Sequence, residues 1–489
     1  MAVCGAEMIT KQDECVDGIE LRGRVYYMRK RVPAEYAAIE ERAEVNKSLR
    51  TRDYKEAMAR FAVAWHALNS EWAALNALKH DDESPDAFDS SIALLKNIGV
   101  PYRSLDDLVS GPIQDLLDRI AILGQSKPDS AQVPGVLGTL KFPRVLVSEM
   151  PAIVEKNNEA NLAAKNDRQL RAWKNKYSQA AKSFCSIVGD KPVLEITEQD
   201  ALAVRKYWKG RRDKGEITTN HAVKKMRFMR QSVDAYFERF DVPPSQRRNP
   251  FSGLKIEKML GGIGEESRKL ALPMPWVRKV IIDQVGLGGL NVEARDIATI
   301  AAASGSRQTE VIDLPPSDIH LNHDIPHFQI QVVTDERFKR QIKNVASKRP
   351  VILLGAALEA MCRHPEGFPR YRGTDSYSAT VNSHLRDKDL FPKLPKGETG
   401  KYTIGCTRHT FEDQMSNAKM SNEERAYLMG HSIGKIRGRP VYGSEPDLRV
   451  RAIYQEMVSF PTENWKPRSI SALRQELDRM AEELGFRVE

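Results

Sequence analysis

The residues best suited to chemistry lie in the last third or so of the 489-residue chain. The segment "ASGSRQTEV" has the form Gly-x-Arg-x-x-Glu and puts Arg307 at a helix start. In "IKNVASKRPVIL", Lys343 sits at a strand end, before a turn and a second strand. "TRHTF" puts Arg408 at another helix start; Gly430-His431 closes a short helical pattern, and Tyr442 follows in a loop between Pro440 and Gly443. A guanidinium is planar, permanently charged and able to grip two oxygens at once. Two of them suit the non-bridging oxygens of a phosphodiester attacked by a hydroxyl. Such preorganised charge is usually the largest catalytic contribution, and losing one donor typically costs ~10²–10³ in rate. A phenol has a pKa of ~10, so Tyr442 as a nucleophile needs a nearby base and cationic surroundings.

Each residue also has an ordinary explanation. Arg307 and Arg408 could each be an ion-pair partner, and a histidine just past a helix C-terminus is often only a dipole partner. Lys339 and Lys348 compete with Lys343, which is favoured only by its place directly before the turn. Tyr427 and Tyr454 are rival hydroxyls, but both fall among apolar helix positions. His320, His323 and His327 have loose metal-like spacing without a trusted carboxylate or cysteine partner, and no metal is expected.

Local signals position these side chains. "NVEARDIATIAAASG" reads as a helix that stops at Gly305, and Pro315 ends the next helical stretch near Leu314. "HFQIQVV" and "RPVILL" read as strands, with "TDERFKRQIKNVASK" as a basic strand and turn between them. Ser421-x-x-Glu424 is a capping box that starts a helix ending at Gly430.

Upstream, "IELRGRVYYMRKRVP" alternates like a strand or hairpin and carries Arg22, Arg24, Arg29 and Lys30; a helix follows. "HDDESPDAFDS" and "GQSKPDSAQVPGVLGTL" read as linkers, and "GGIGEESRK" as a hinge. Residues 143–257 are helical throughout, with core stripes at Leu170, Trp173, Tyr177, Ala181 and Phe184 and at Met226, Met229, Val233 and Phe237. Cations crowd the opposite face between 206 and 230, among them Lys209, Arg211, Arg212, Lys224, Lys225 and Arg227; contact with a phosphate backbone is the expectation.

The bulk composition agrees. Net charge is +9 with pI near 9.1, which favours a polyanionic partner. Apolar runs fall far short of the ~20 residues of a membrane span, and no signal peptide is evident. Five scattered cysteines without a CxxC spacing fit reduced thiols in a cytoplasm.

Taken in order, Arg307, Lys343, Arg408, His431 and Tyr442 resemble the active-site series of the tyrosine recombinase (phage integrase) family, especially its longer bacterial and prophage integrases. The resemblance covers 268–460 best and extends more loosely to "YYMRKRVP…SLRTRDYKEA" and to the helical region ending in "NPFSGL". It implies a multidomain chain. A small β-rich arm-type DNA-binding domain would span 16–80, a helical linker region 81–142, and an all-α core-binding domain 143–257. A mixed α+β, mainly helical catalytic domain would span 268–460, and an amphipathic tail 461–489. It also implies that Lys343 protonates the departing 5′ oxygen and that Tyr442 forms a 3′-phosphotyrosyl link. No cofactor is implied. The expected partners are double-stranded attachment-site DNA, further copies in a homotetramer on paired sites, and accessory DNA-bending or directionality proteins. The expected location is the bacterial cytoplasm, at the nucleoid. The tail helix "SALRQELDRMAEELGF" could contact another protomer or fold back on its own domain.

One position departs from the family. Where its pattern has His-x-x-Arg, this chain has Gly405 before Arg408, and glycine cannot accept the nucleophile's proton. Three readings remain: a site-specific recombinase, a type IB topoisomerase-like relaxing enzyme, or a DNA-binding regulator silenced at Gly405.

Overall fold

The computed structural model describes residues 17–125, 132–257, 270–396, 398, 400–432 and 447–483. It is mainly helical, with two small antiparallel sheets. The chain divides into two compact units. The first draws on Met1–Asn157, Tyr177–Tyr207 and Met226–Leu254, and the second on Asn158–Lys176, Trp208–Lys225 and Lys255–Glu489.

In the first unit, β1 (Ile19–Arg22) and β2 (Val25–Arg31) form a hairpin paired from Ile19↔Met28 to Arg22↔Val25, and β3 (Glu44–Ser48) joins the far edge of β2. The two-residue turn needs a positive φ, which Gly23 supplies at 64°. Met28 and Val45 turn inward against Ala57, Phe61 and Trp72 of the long helix Tyr54–His80. "HDDESPDAFDS" is not a linker. Ser84 caps the helix Pro85–Asn97, its side chain accepting from Ala87 N, and Pro85 occupies the first helical turn, where its missing N–H costs nothing.

The second unit is built on the helix Val292–Ser304, of which Ala294 and every residue from Asp296 to Ser304 are buried. Such all-round burial requires the small side chains of its Ala-rich sequence. Around it lie the sheet β4 (Ile319–His320), β5 (His327–Ile330) and β6 (Arg349–Ile352) and the helices Gly355–Cys362 and Thr407–Asn417. A second cluster gathers Phe411, Met415, Leu428, Met429 and Ile453, and the helix Ile470–Glu483 seals it with Leu473, Leu477 and Met480. The tail helix therefore folds back on its own unit.

Two local expectations need correction. Lys343 does not end a strand: between β5 and β6 the described pairing is the single bridge Val333↔Arg340, and Lys343 lies in irregular backbone. The cause is Arg340, whose buried guanidinium is drawn inward by Asp318 and by the main-chain oxygens of Glu310, Asp313, Gln329 and Gln331. On the basic helices, Arg212 and Lys225 leave the exposed face. Arg212 is buried against Asp213 and the carbonyl of Glu257, and Lys225 is buried with its ammonium 5.7 Å from the Trp208 ring. "GGIGEESRK" and Tyr442 both fall outside the described residues.

Candidate active site

Two helix ends create the site. Gly305 ends Val292–Ser304 with φ 65°, and Gly430 ends Asn422–Met429 with φ 63°. Both positions also demand glycine for space. A Cβ on Gly305 would lie 2.3 Å from Phe411, and one on Gly430 would lie 2.5 Å from Arg349 Nη1. A helix C-terminus carries unpaired carbonyls and partial negative charge. Arg408, near the start of Thr407–Asn417, bridges the two ends: Nη1 donates to Gly305 O and Nη2 donates to Met429 O at 2.6 Å. Its Nη2 also lies 3.2 Å from His431 Nε2. Because a guanidinium only donates, Nε2 accepts here, and the imidazole is neutral with its proton on Nδ1.

Arg307 caps Gln308–Ile312 and pairs with Glu310 of the same turn, and its Nη1 lies 3.5 Å from Ser347 Oγ. Glu310 is shared: Arg349 Nη2 reaches its other oxygen at 3.2 Å. Arg349 is 1% exposed and also donates through Nε to Leu428 O at 2.9 Å. It thus joins the turn that carries Arg307 to the helix end that precedes His431. The sequence pattern contained Glu310, but neither it nor Arg349 was singled out. Arg349 sits in an apolar strand, and a charge inside such a run was the available signal.

The electrostatics are unbalanced by design of the packing. Three guanidiniums lie around the Glu310 carboxylate, and the charge of Glu412 also acts on Arg408 and His431. Burial works to raise the Glu310 carboxyl, but Arg349 and Arg307 outweigh it and hold it below the usual carboxylate range. Burial, then the charges of Arg307 and Arg349, lower Arg408 to about 9. Partial burial and then Arg408 lower His431, although its ring keeps a solvent-facing side. An arriving anion would relieve both groups.

Arg307, Arg408 and His431 are therefore brought together. Lys343 joins through a cavity of about 240 Å³ that it lines with Arg307, Glu310 and Lys165. Of the rival tyrosines, Tyr454 packs against the second cluster and burial raises its hydroxyl to about 12; Tyr427 is half-buried, with Arg451 5.7 Å from its ring. Gly405 has no left-handed backbone, and a Cβ there would meet only Thr403 Oγ1 at 3.5 Å, an ordinary contact. His320, His323 and His327 cluster with ring centroids about 5 Å apart, and no metal-holding group of three is found among the described residues. In the N-terminal sheet, Arg22 pairs with Glu20, Arg29 with Glu20 and Glu44, and Lys30 with Asp17, while Arg24 is exposed.

Comparison with known proteins gives three findings. Residues 18–77 match the family "Domain of unknown function (DUF6538)". No curated protein matches by sequence. Among solved structures, the Tn1549 transposon integrase in complex with transposon right end DNA is similar at 14% identity and a TM-score of 0.40, over 68% of this chain and 99% of that one. A lambda integrase tetramer bound to a Holliday junction is similar at 13% identity and a TM-score of 0.41, over 86% of this chain and 97% of that one. The integrase from mycobacterium phage Brujita is similar at 13% and 0.27, over 67% and 98%. At these identities and TM-scores the functional reading rests on the chain's own residues.

Proposed function

We propose that the protein is a site-specific DNA recombinase that integrates or excises a mobile element through a 3′-phosphotyrosyl intermediate. The observation that carries the reading is the convergence of Arg307, Arg408 and His431 on one cationic site with a deficit of carboxylates. Arg307 and Arg408 hold the non-bridging oxygens of the scissile phosphate, and His431 adds a third hydrogen bond. The Tyr442 oxygen forms a bond to phosphorus as the bond from phosphorus to O5′ breaks. Lys343 gives its proton to the departing O5′, and the phenolic proton leaves to water in the space beside Gly405. The link retains the energy of the broken ester, so resealing needs no nucleotide. The segment 16–80 serves as an arm-type DNA-binding module, 143–257 as a core-binding domain and 268–460 as the catalytic domain, on attachment sites paired by a homotetramer.

Gly405 favours one competing reading, a silenced DNA-binding regulator. The test is denaturant-resistant adduct formation on nicked duplexes tiled across the DNA that flanks the gene. Wild type is expected to form an adduct, and Tyr442→Phe to bind equally well and form none, because affinity comes chiefly from phosphate charge. Wild type that binds tightly and never forms adduct leaves the regulator. An adduct formed by Tyr442→Phe but lost in Tyr454→Phe or Tyr427→Phe overturns the nucleophile.

A further inference from the structure

The stretch that carries Lys343 is short of main-chain partners: its described pairing with the opposite arm is one bridge at Arg340. A peptide unit just beyond that bridge is satisfied by a side chain instead. Gln169 Nε2 donates to Gln341 O at 2.7 Å, and Gln341 N donates back to Gln169 Oε1 at 3.0 Å. An amide side chain here does what a neighbouring strand would do. Lys165 Nζ donates to the Gln341 side chain, which reaches Asn161 O at 3.4 Å.

The clamp is itself fixed. Gln169 and Asn166 exchange side-chain to main-chain hydrogen bonds at 3.2 and 2.9 Å, in the manner of a helix cap. The intervening Arg168 makes a buried ion pair with Asp313, on the turn that follows Arg307. All of these residues belong to one compact unit, and Lys165, Gln169 and Gln341 share the cavity wall with Lys343 and Arg307.

We propose that Gln169, seconded by Lys165, is a positioning residue for Lys343: it pins Gln341, two residues away, and so holds the general acid at the cavity edge. This rests on the recombinase reading above. A general acid typically contributes ~10²–10⁴-fold, and a misplacement of 1 Å can cost ~10²-fold. Gln169→Leu, close in volume but unable to pair, is therefore expected to slow single-turnover cleavage by about 10–100-fold with DNA affinity unchanged. Gln169→Glu, which still accepts from Gln341 N but cannot donate to its carbonyl, should fall between. The decisive comparison uses a nicked duplex whose scissile O5′ is replaced by sulfur. A thiolate leaves without protonation, so the defect of Gln169→Leu should vanish on this substrate, as should that of Lys343→Ala. Hydrogen exchange at the Gln341 amide, expected to speed up in Gln169→Leu, reports the clamp without any DNA. Normal cleavage by Gln169→Leu, a defect that persists on the sulfur substrate, or unchanged exchange at Gln341 overturns the positioning role alone. Lack of adduct with wild type overturns the recombinase reading and this inference with it.

Discussion

The arginines of the site and the cations of 206–230 are alike in type and unlike in setting. At the site, Arg307 and Arg349 share Glu310, while Arg408 donates to carbonyls at two helix ends and is met by Glu310 and Glu412 only through space. Along 206–230 several of the charges are met locally: Arg211 pairs with Glu216, Arg212 with Asp213, and Arg227 stacks 5.1 Å from Phe228. The exposed pair among these, Arg211–Glu216, contributes little, since such pairs have a median of about 0–1 kcal/mol. A buried excess of charge is instead costly, and it persists where the missing anion is a ligand. On the proposed reading, the difference separates a binding surface from a catalytic one, although the residue types are the same.

The largest expected effect breaks the site at Arg408. Arg408→Ala should slow adduct formation by ~10²–10³-fold, as loss of an oxyanion donor does. Its thermal midpoint should move little, because hydrogen bonds to Gly305 O and Met429 O are lost while repulsion from Arg307 and Arg349 is relieved. Arg349→Met should do the reverse in stability, costing about 3–5 kcal/mol, since a buried ion pair loses one partner. Urea melts of the two variants decide the contrast. Equal destabilisation would make Arg408 merely structural.

Gly405→His comes next. The backbone accepts a Cβ there, so the variant should fold and should raise, or at least maintain, the rate of cleavage on a nicked substrate, by at most the ~10²–10⁴-fold of a general base. The gain should be clearest below pH 8. A folded variant that cleaves much more slowly than wild type would show that the space beside Gly405 is itself used.

Much of this geometry was legible because it is local. Gly305, Gly430 and the Ser421–Glu424 box announce helix ends through φ and capping chemistry that involve few neighbours. Ser84-Pro85 carried the same kind of signal, yet the Asp/Ser/Pro-rich composition around it suggested a linker. Arg340, Arg349 and Gln169 were not legible, since each takes its role from residues tens to hundreds of positions away. Lys225 fell on the charged side by helical period alone, and it is Trp208, on another helix, that covers it.

Because Lys225 is buried, the exposed pair Lys209 and Lys224 sharpens the surface side of the comparison. Replacing both by alanine should weaken binding to any sequence and lower the slope of log K against log salt by about 1.8, at about 0.9 per phosphate contact. Cleavage at saturating protein should be unaffected. An unchanged slope from binding titrations at several salt concentrations would mark these lysines as a solvated face only.

The smallest effect concerns His431, on the solvent-facing side of the site. In the free site its pKa lies below the ordinary value, first through burial and then through Arg408, so at pH 7 it is neutral and accepts from Arg408. A phosphate placed between them needs donors on both sides and, being anionic, raises the His431 pKa. Binding should then take up a fraction of a proton between the lowered free value and the raised bound one. Affinity is expected to be flat below that window and to fall severalfold as pH rises through it, at most tenfold per unit. For folding without DNA the sign is opposite. The unfolded chain binds the proton more readily, so this group costs stability as pH drops below about 6.5. Calorimetry with Tyr442→Phe and a nicked duplex, in two buffers of different ionisation enthalpy, measures the uptake. Subtracting the value for Tyr442→Phe/His431→Gln removes every other titrating group. If the two proteins take up the same number of protons, His431 does not reach the phosphate, and the oxygens are held by the arginines alone.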